Sequence, residues 1–130
     1  MKEVSTEELL EPIEDPTKFP EVIHGTYFKF WKLIANEGLK RMNRNHIHFA
    51  PGMPKQEGVI SGMRGSCDVY IEIDLFKAIK EGIKFYISSN NVILTEGIDG
   101  TLPPKYFKKV VAKDGTVMLD QAMKKVEEWW

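Results

Sequence analysis

Apolar residues in this chain arrive in short runs, each broken within a few positions by glycine, proline, asparagine or aspartate. Such punctuation predicts short strands with brief helices between them. Val22-Ile23-His24 reads as a strand. Thr26 is then placed to cap a helix whose Tyr27, Phe30, Trp31 and Ile34 share a face, with Gly38 as the stop. Residues 46–49 alternate as a strand ended by Pro51-Gly52, and residues 69–73 alternate again into Asp74, a cap for a helix ending at Gly82. Strands over 84–88 and 92–95 are joined by the bend chemistry of Ser89-Asn90-Asn91. Residues 110–112 and 116–119 flank Lys113-Asp114-Gly115 as a hairpin. Asp120 can cap a last helix with Ala122, Met123, Val126 and Trp130 on one face. Regular helical crossovers are missing from this order, so the expected class is α+β rather than a doubly wound parallel sheet.

A length of 130 residues with 42% hydrophobic content suits one core and is too short for two ordinary domains. Residues 1–20 are acidic and carry Pro12, Pro16 and Pro20 without a sustained period, so they are expected as a leader or linker outside the core, with the folded lobe over 21–130. No apolar run approaches about 18 residues, and the first residues lack a signal-like apolar stretch, so a soluble chain of the cytoplasm or nucleus is expected, with no membrane partner. A net charge of -1 makes any phosphate recognition a local matter. A lone cysteine, Cys67, excludes an internal disulfide framework and reads as a reduced structural thiol.

The histidines concentrate the candidate chemistry. His24, His46 and His48 all lie on or beside expected strands, and strand alternation puts His46 and His48 on one face while Ile47 turns to the core. Lys40, Arg41 and Arg44 stand nearby in sequence, and with a small turn at Gly25 they would suit a diphosphate, whose oxygens take charge-assisted donors. Two blander readings compete. Each histidine alone can simply satisfy backbone groups, and a His-x-His pair plus a distant histidine fits zinc except that no fourth ligand accompanies it, so no metal is expected. Arg64 sits in the glycine-flanked turn of residues 58–66, which lets backbone amides approach a ligand; it reads equally as a phosphate fork or as a surface arginine. The aromatics Phe28, Phe30, Trp31, Phe76, Phe85, Tyr86 and Phe107 follow helix or strand periods and are expected in the core.

Four strings in order resemble the signature of the RNA 2'-phosphotransferase family: VIHGT at 22–26, RNHIHFAPGMP at 44–54, GVISGMR at 58–64 and SSNNVILTEG at 88–97, extended by PPKYF at 103–107. The resemblance implies an ADP-ribosyltransferase-like fold of two packed, mostly antiparallel sheets with a cleft for NAD as co-substrate. It implies RNA bearing an internal 2'-phosphate as the partner, tRNA in splicing, and ADP-ribose 1,2-cyclic phosphate with nicotinamide as products. Both nucleophiles come from the substrates, so the protein must position and neutralise charge. By motif, His24, Gly25 and Thr26 look like contacts to the nicotinamide half and its ribose, and His46 and His48 to the adenosine-diphosphate side, with Arg44 also in the cofactor-binding set. Ser61, Gly62 and Asn90 complete the cofactor set, and Arg64 is the catalytic phosphate clamp. Two departures accompany it: residues 1–20 hold neither the arginine nor the histidine that the family's amino-terminal RNA-binding lobe supplies, and Ile87 stands where the family usually carries arginine. A chain without that lobe is expected to bind NAD or ADP-ribose and to remove RNA 2'-phosphate very slowly or not at all; the alternative is a non-catalytic module for NAD, ADP-ribose or phosphorylated RNA.

Overall fold

A computed structural model describes residues 10–41, 45–52, 67–89 and 91–120. Two four-stranded sheets, antiparallel throughout, carry the architecture. The first runs in the order β1 (Leu10–Pro12), β6 (Phe85–Ser88), β7 (Ile93–Thr95), β4 (Ile47–Phe49). The second runs β10 (Val117–Asp120), β9 (Phe107–Ala112), β5 (Val69–Ile73), β2 (Ile23–Thr26). β3 (Leu39–Lys40) and β8 (Thr101–Leu102) form a small third pair, and two short helices, α1 (Phe28–Glu37) and α2 (Leu75–Lys80), connect strands. The α+β expectation holds.

Alternation explains which faces meet. Phe49, Ile47, Phe85, Ile93 and Thr95 stand on one face of the first sheet, and Val69, Ile71, Ile73 and Val110 on one face of the second, all nearly inaccessible. The apolar ones among them join with Phe107, Leu102, Ala78 and Ile83 in one cluster, so the core lies between the sheets. Thr95 is the buried polar member, and it is satisfied locally: its hydroxyl donates to the Lys84 carbonyl at 2.7 Å and accepts from the Gly97 amide at 3.0 Å.

Local sequence chemistry sets the ends of elements. Asp74 caps α2 as expected, its carboxylate accepting the Lys77 amide at 3.1 Å. Gly38 ends α1 at φ 91°, where an added Cβ would lie 2.4 Å from the Leu102 carbonyl oxygen, so glycine is required both for the turn and for the close pass of β8. The Ser88–Asn91 bend returns β6 to β7, with the Val92 amide bonded to the Ser88 hydroxyl at 3.1 Å.

Four expectations are corrected. Thr26 does not cap α1: it belongs to β2, buried against β5, and the Phe28 amide at the helix start is taken instead by the Asp68 carboxylate at 2.6 Å. Gly25 lies within β2 and forms no turn. Residues 10–20 are not outside the fold, since β1 pairs with β6 and Ile13 joins the core with its amide on the Phe85 carbonyl at 2.8 Å; residues 1–9 lie outside the described set. Lastly, Phe28, Phe30 and Phe76 are exposed at 63%, 45% and 61%, because the core side of α1 is Trp31 and Ile34 and that of α2 is Leu75 and Ala78. The expected last helix over residues 121–130 lies outside the described residues.

Glu81, just beyond α2, accepts the Tyr106 hydroxyl at 2.6 Å and pairs with Lys105 at 3.0 Å, tying the PPKYF segment to the helix end. The Tyr106 hydrogen bond first, then Lys105, hold the Glu81 carboxyl below the usual carboxylate range. A depressed folded value contributes stability above the unfolded value of about 4.3, and that contribution is lost as pH falls through the folded one. Urea midpoints for the chain and for Glu81→Gln should therefore differ at neutral pH and converge in acid. A constant gap across that window would contradict the assignment.

Candidate functional site

The two sheets touch through their edge strands β2 and β4. Ile23 and Ala50 exchange both backbone hydrogen bonds, at 2.9 and 2.7 Å, and the contact stops there as an isolated bridge. One residue further along, a side chain takes over from the ladder: His24 Nδ1 lies 2.8 Å from the His48 carbonyl oxygen. A carbonyl only accepts, so Nδ1 carries the proton and donates, and further contact by the ring goes through Nε2. The ring also packs edge-on against Phe49, centroids 5.8 Å apart. His24 thus fills the point where β2 and β4 diverge.

Gly25 and Thr26 follow on the same edge strand. Ile23 spends its amide and carbonyl on β4, so the alternation of an antiparallel strand directs the amide and carbonyl of Gly25 to the same open side. Thr26 turns its backbone the other way, its carbonyl accepting the Asp68 amide at 3.0 Å, and is 7% exposed.

His46 and His48 share a face, as alternation requires, while Ile47 and Phe49 are buried on the other. That shared face is the outer one of the first sheet. There His48 lies opposite Leu94, which lies opposite Tyr86, and the His46 ring meets Tyr86 with centroids 6.3 Å apart. His46 Nε2 stands 3.9 Å from the exposed Glu96 carboxylate. Tyr86 and Glu96 were not among the candidates from sequence; only the β4–β7–β6 register brings them beside His46.

Of the cations expected about the histidines, Lys40 and Arg41 lie within the described residues. Lys40 pairs with Glu37 at 2.6 Å, and the Arg41 amide donates to the Gly100 carbonyl at 2.9 Å beside the β3–β8 pair. Arg44, Ser61, Gly62, Arg64 and Asn90 lie outside the described residues. Ile87, the departure from the family pattern, packs against the core in the row Ile87–Ile93–Phe49. Cys67 is a buried free thiol. A hollow of about 210 Å³ lies on the opposite, outer face of the second sheet, lined by Ile23, Tyr70, Val111, Glu21, Glu72 and Lys109, and shares neither His46 nor His48. Among the described residues no group of three or more histidine, cysteine or acidic side chains is placed to hold a metal, and no helix is long and apolar enough to cross a membrane. Stoichiometric zinc is expected to be absent from protein purified without added metals; one equivalent by elemental analysis would reassign the histidines.

Comparison with known proteins bears on the same strings. Over 109 residues the chain is 50% identical to the tRNA 2'-phosphotransferase 1 of Danio rerio, covering 82% of this chain and 48% of that protein. Over 104 residues it is 47% identical to the tRNA 2'-phosphotransferase 1 of Homo sapiens, covering 78% of this chain and 41% of that protein. The chain therefore spans less than half the length of these relatives. A model of the RNA 2'-phosphotransferases matches residues 1–97, which takes in β1 as well as the HGT and HIH segments. On that match, the chain belongs to the RNA 2'-phosphotransferase, Tpt1 / KptA family.

Proposed function

We propose that this chain is the NAD-binding part of an enzyme that removes a 2'-phosphate from RNA, with tRNA as the substrate class that its relatives' names carry. The observation that carries the reading is the His24 seam. A split between two edge strands leaves backbone amide and carbonyl groups without ladder partners, and Gly25 offers one of each with no side chain in the way. A carboxamide such as that of nicotinamide is complementary to an adjacent donor and acceptor of this kind. The residues present fit the co-substrate.

In the reaction the 2'-phosphate oxygen of RNA attacks the nicotinamide-ribose carbon of NAD, and the carbon–nitrogen bond to nicotinamide breaks. The neighbouring ribose 2-hydroxyl then attacks phosphorus, the bond from phosphorus to the RNA 2'-oxygen breaks, and that oxygen takes the proton given up by the hydroxyl. RNA leaves with a 2'-hydroxyl, alongside ADP-ribose 1,2-cyclic phosphate. The protein's share is orientation and stabilisation of charge on the phosphoryl oxygens. His24 is fixed in one tautomer by the His48 carbonyl and presents Nε2; Gly25 and Thr26 define the edge beside it. His46 and His48 are assigned to the adenosine-diphosphate side with Arg44, Ser61, Gly62 and Asn90. β4 is an edge strand, so its outer face and its open side are within about one strand spacing, 4.8 Å, and an elongated dinucleotide can meet both. Arg64 is assigned to the transferring phosphate.

The test is nicotinamide release on mixing the chain, NAD and an RNA with an internal 2'-phosphate, alone and joined to a family amino-terminal lobe. Release that needs both substrates, with formation of the cyclic phosphate, supports the reading. NAD binding without release in either form favours a non-catalytic module.

His24→Ala is expected to weaken NAD binding by about 1 to 3 kcal/mol, the cost of a lost buried hydrogen bond with its partner left behind. Titration calorimetry on both proteins checks it. Equal affinities would make His24 a structural tie between the sheets.

A further inference from the structure

We infer that the solvent side of α1 is a contact surface for single-stranded RNA flanking the phosphate that reacts. The inference rests on the proposed RNA activity and concerns residues outside the histidine seam.

Helix α1 is amphipathic in an unusual sense. Trp31 and Ile34 face the core, Trp31 against Phe107 with centroids 6.3 Å apart. At about 100° per residue, the solvent arc runs through Phe28, Lys32, Asn36, Lys29, Leu33, Glu37 and Phe30. Phe28 is 63% exposed, Leu33 57% and Phe30 45%. Large aromatics at that exposure on a helix otherwise anchored to a core mark a surface that meets something.

Charge selects the partner. The two cations, Lys29 and Lys32, lie between the flanking phenylalanines, and Lys29 Nζ sits 5.2 Å from the centre of the Phe30 ring. The helix's one acidic residue, Glu37, is at its far end and already paired with Lys40. Lysines interleaved with exposed aromatics are complementary to a strand with anionic phosphates and flat bases, since bases stack on rings of any sequence and phosphates follow the cations. An acidic protein partner would satisfy the lysines and leave Phe28 and Phe30 unexplained.

Position makes the surface usable. Phe28 follows Thr26 by two residues, so the arc begins directly beyond the HGT edge. Asp68 holds the Phe28 amide and Phe107 holds Trp31, which mounts the helix firmly beside the seam.

The experiment measures a fluorescein-labelled single-stranded RNA of about twelve nucleotides, with and without an internal 2'-phosphate, against the full chain by anisotropy over a salt series. NAD titration of each protein runs in parallel. Phe28→Ala with Phe30→Ala should weaken RNA binding about tenfold or more, through the loss of stacking, with the NAD response unchanged. Lys29→Gln with Lys32→Gln should reduce the slope of log affinity against log salt by about 0.7 for each phosphate that the protein no longer neutralises. RNA affinity unchanged in both variants overturns the inference. So does a self-association of the chain that the phenylalanine variant abolishes while RNA binding persists, which would make a second copy the partner. An RNA response that depends on α1 in a chain giving no response to NAD would support this surface while overturning the proposed co-substrate.

Discussion

Replacing Arg64 by lysine is expected to slow 2'-phosphate removal by about a hundredfold to a thousandfold, the usual cost of one misplaced donor to a developing oxyanion. Lysine keeps the positive charge and loses the planar two-pronged donor set, so a purely Coulombic role would show a much smaller effect. Neither nucleophile belongs to the protein in the proposed reaction, which leaves charge stabilisation at phosphorus as the largest contribution available to a side chain. Arg64 ends the GVISGMR string shortly before β5, among glycines that permit close backbone approach to a ligand. Single-turnover assays in a protein joined to an amino-terminal lobe, with NAD affinity measured separately, decide the matter. A loss in rate with NAD affinity retained supports the clamp; an unchanged rate removes Arg64 from the catalytic set.

The second large effect is on stability. Phe107 opens β9 opposite Ile73, is fully buried, and meets Trp31 of α1, so one ring joins the second sheet to the helix. Phe107→Ala should cost about 3 to 5 kcal/mol, the range for truncating a buried phenylalanine, set against a total stability of about 5 to 15 kcal/mol. The urea midpoint should fall sharply with little change in slope. A loss below about 1 kcal/mol would mean that α1 is not fastened through this contact.

The elements that sequence made legible are those whose cause is local. Val69–Ile73 has the apolar alternation of a strand and is one of the two inner strands of its sheet; Asp74 has its cap bond three residues on; Asp114-Gly115 turns β9 into β10. β1 was hidden because Leu10–Pro12 has no period of its own and becomes a strand only by pairing with Tyr86–Ser88. Asp68 displaced Thr26 at the start of α1 because a carboxylate from a distant position in the chain reaches that amide. Aromatic spacing likewise could not tell Trp31, which packs on the core, from Phe30, which is exposed and meets only the Tyr27 ring among the described aromatic side chains.

The candidate site divides along the same line. His46 and His48 sharing a face follows from alternation alone, and the structure has it so. The bond from His24 to the His48 carbonyl has no sequence signal, since it arises where two edge strands from different sheets part. Tyr86 and Glu96 beside His46 depend on register across three strands.

Amide chemical shifts followed while NAD is added to the chain test the central claim most directly. The account predicts saturable shifts at Gly25 and Thr26, on the open edge beside His24, and at residues 46–48. No response to NAD, or shifts confined to the hollow formed by Tyr70, Glu72 and Val111, would contradict it.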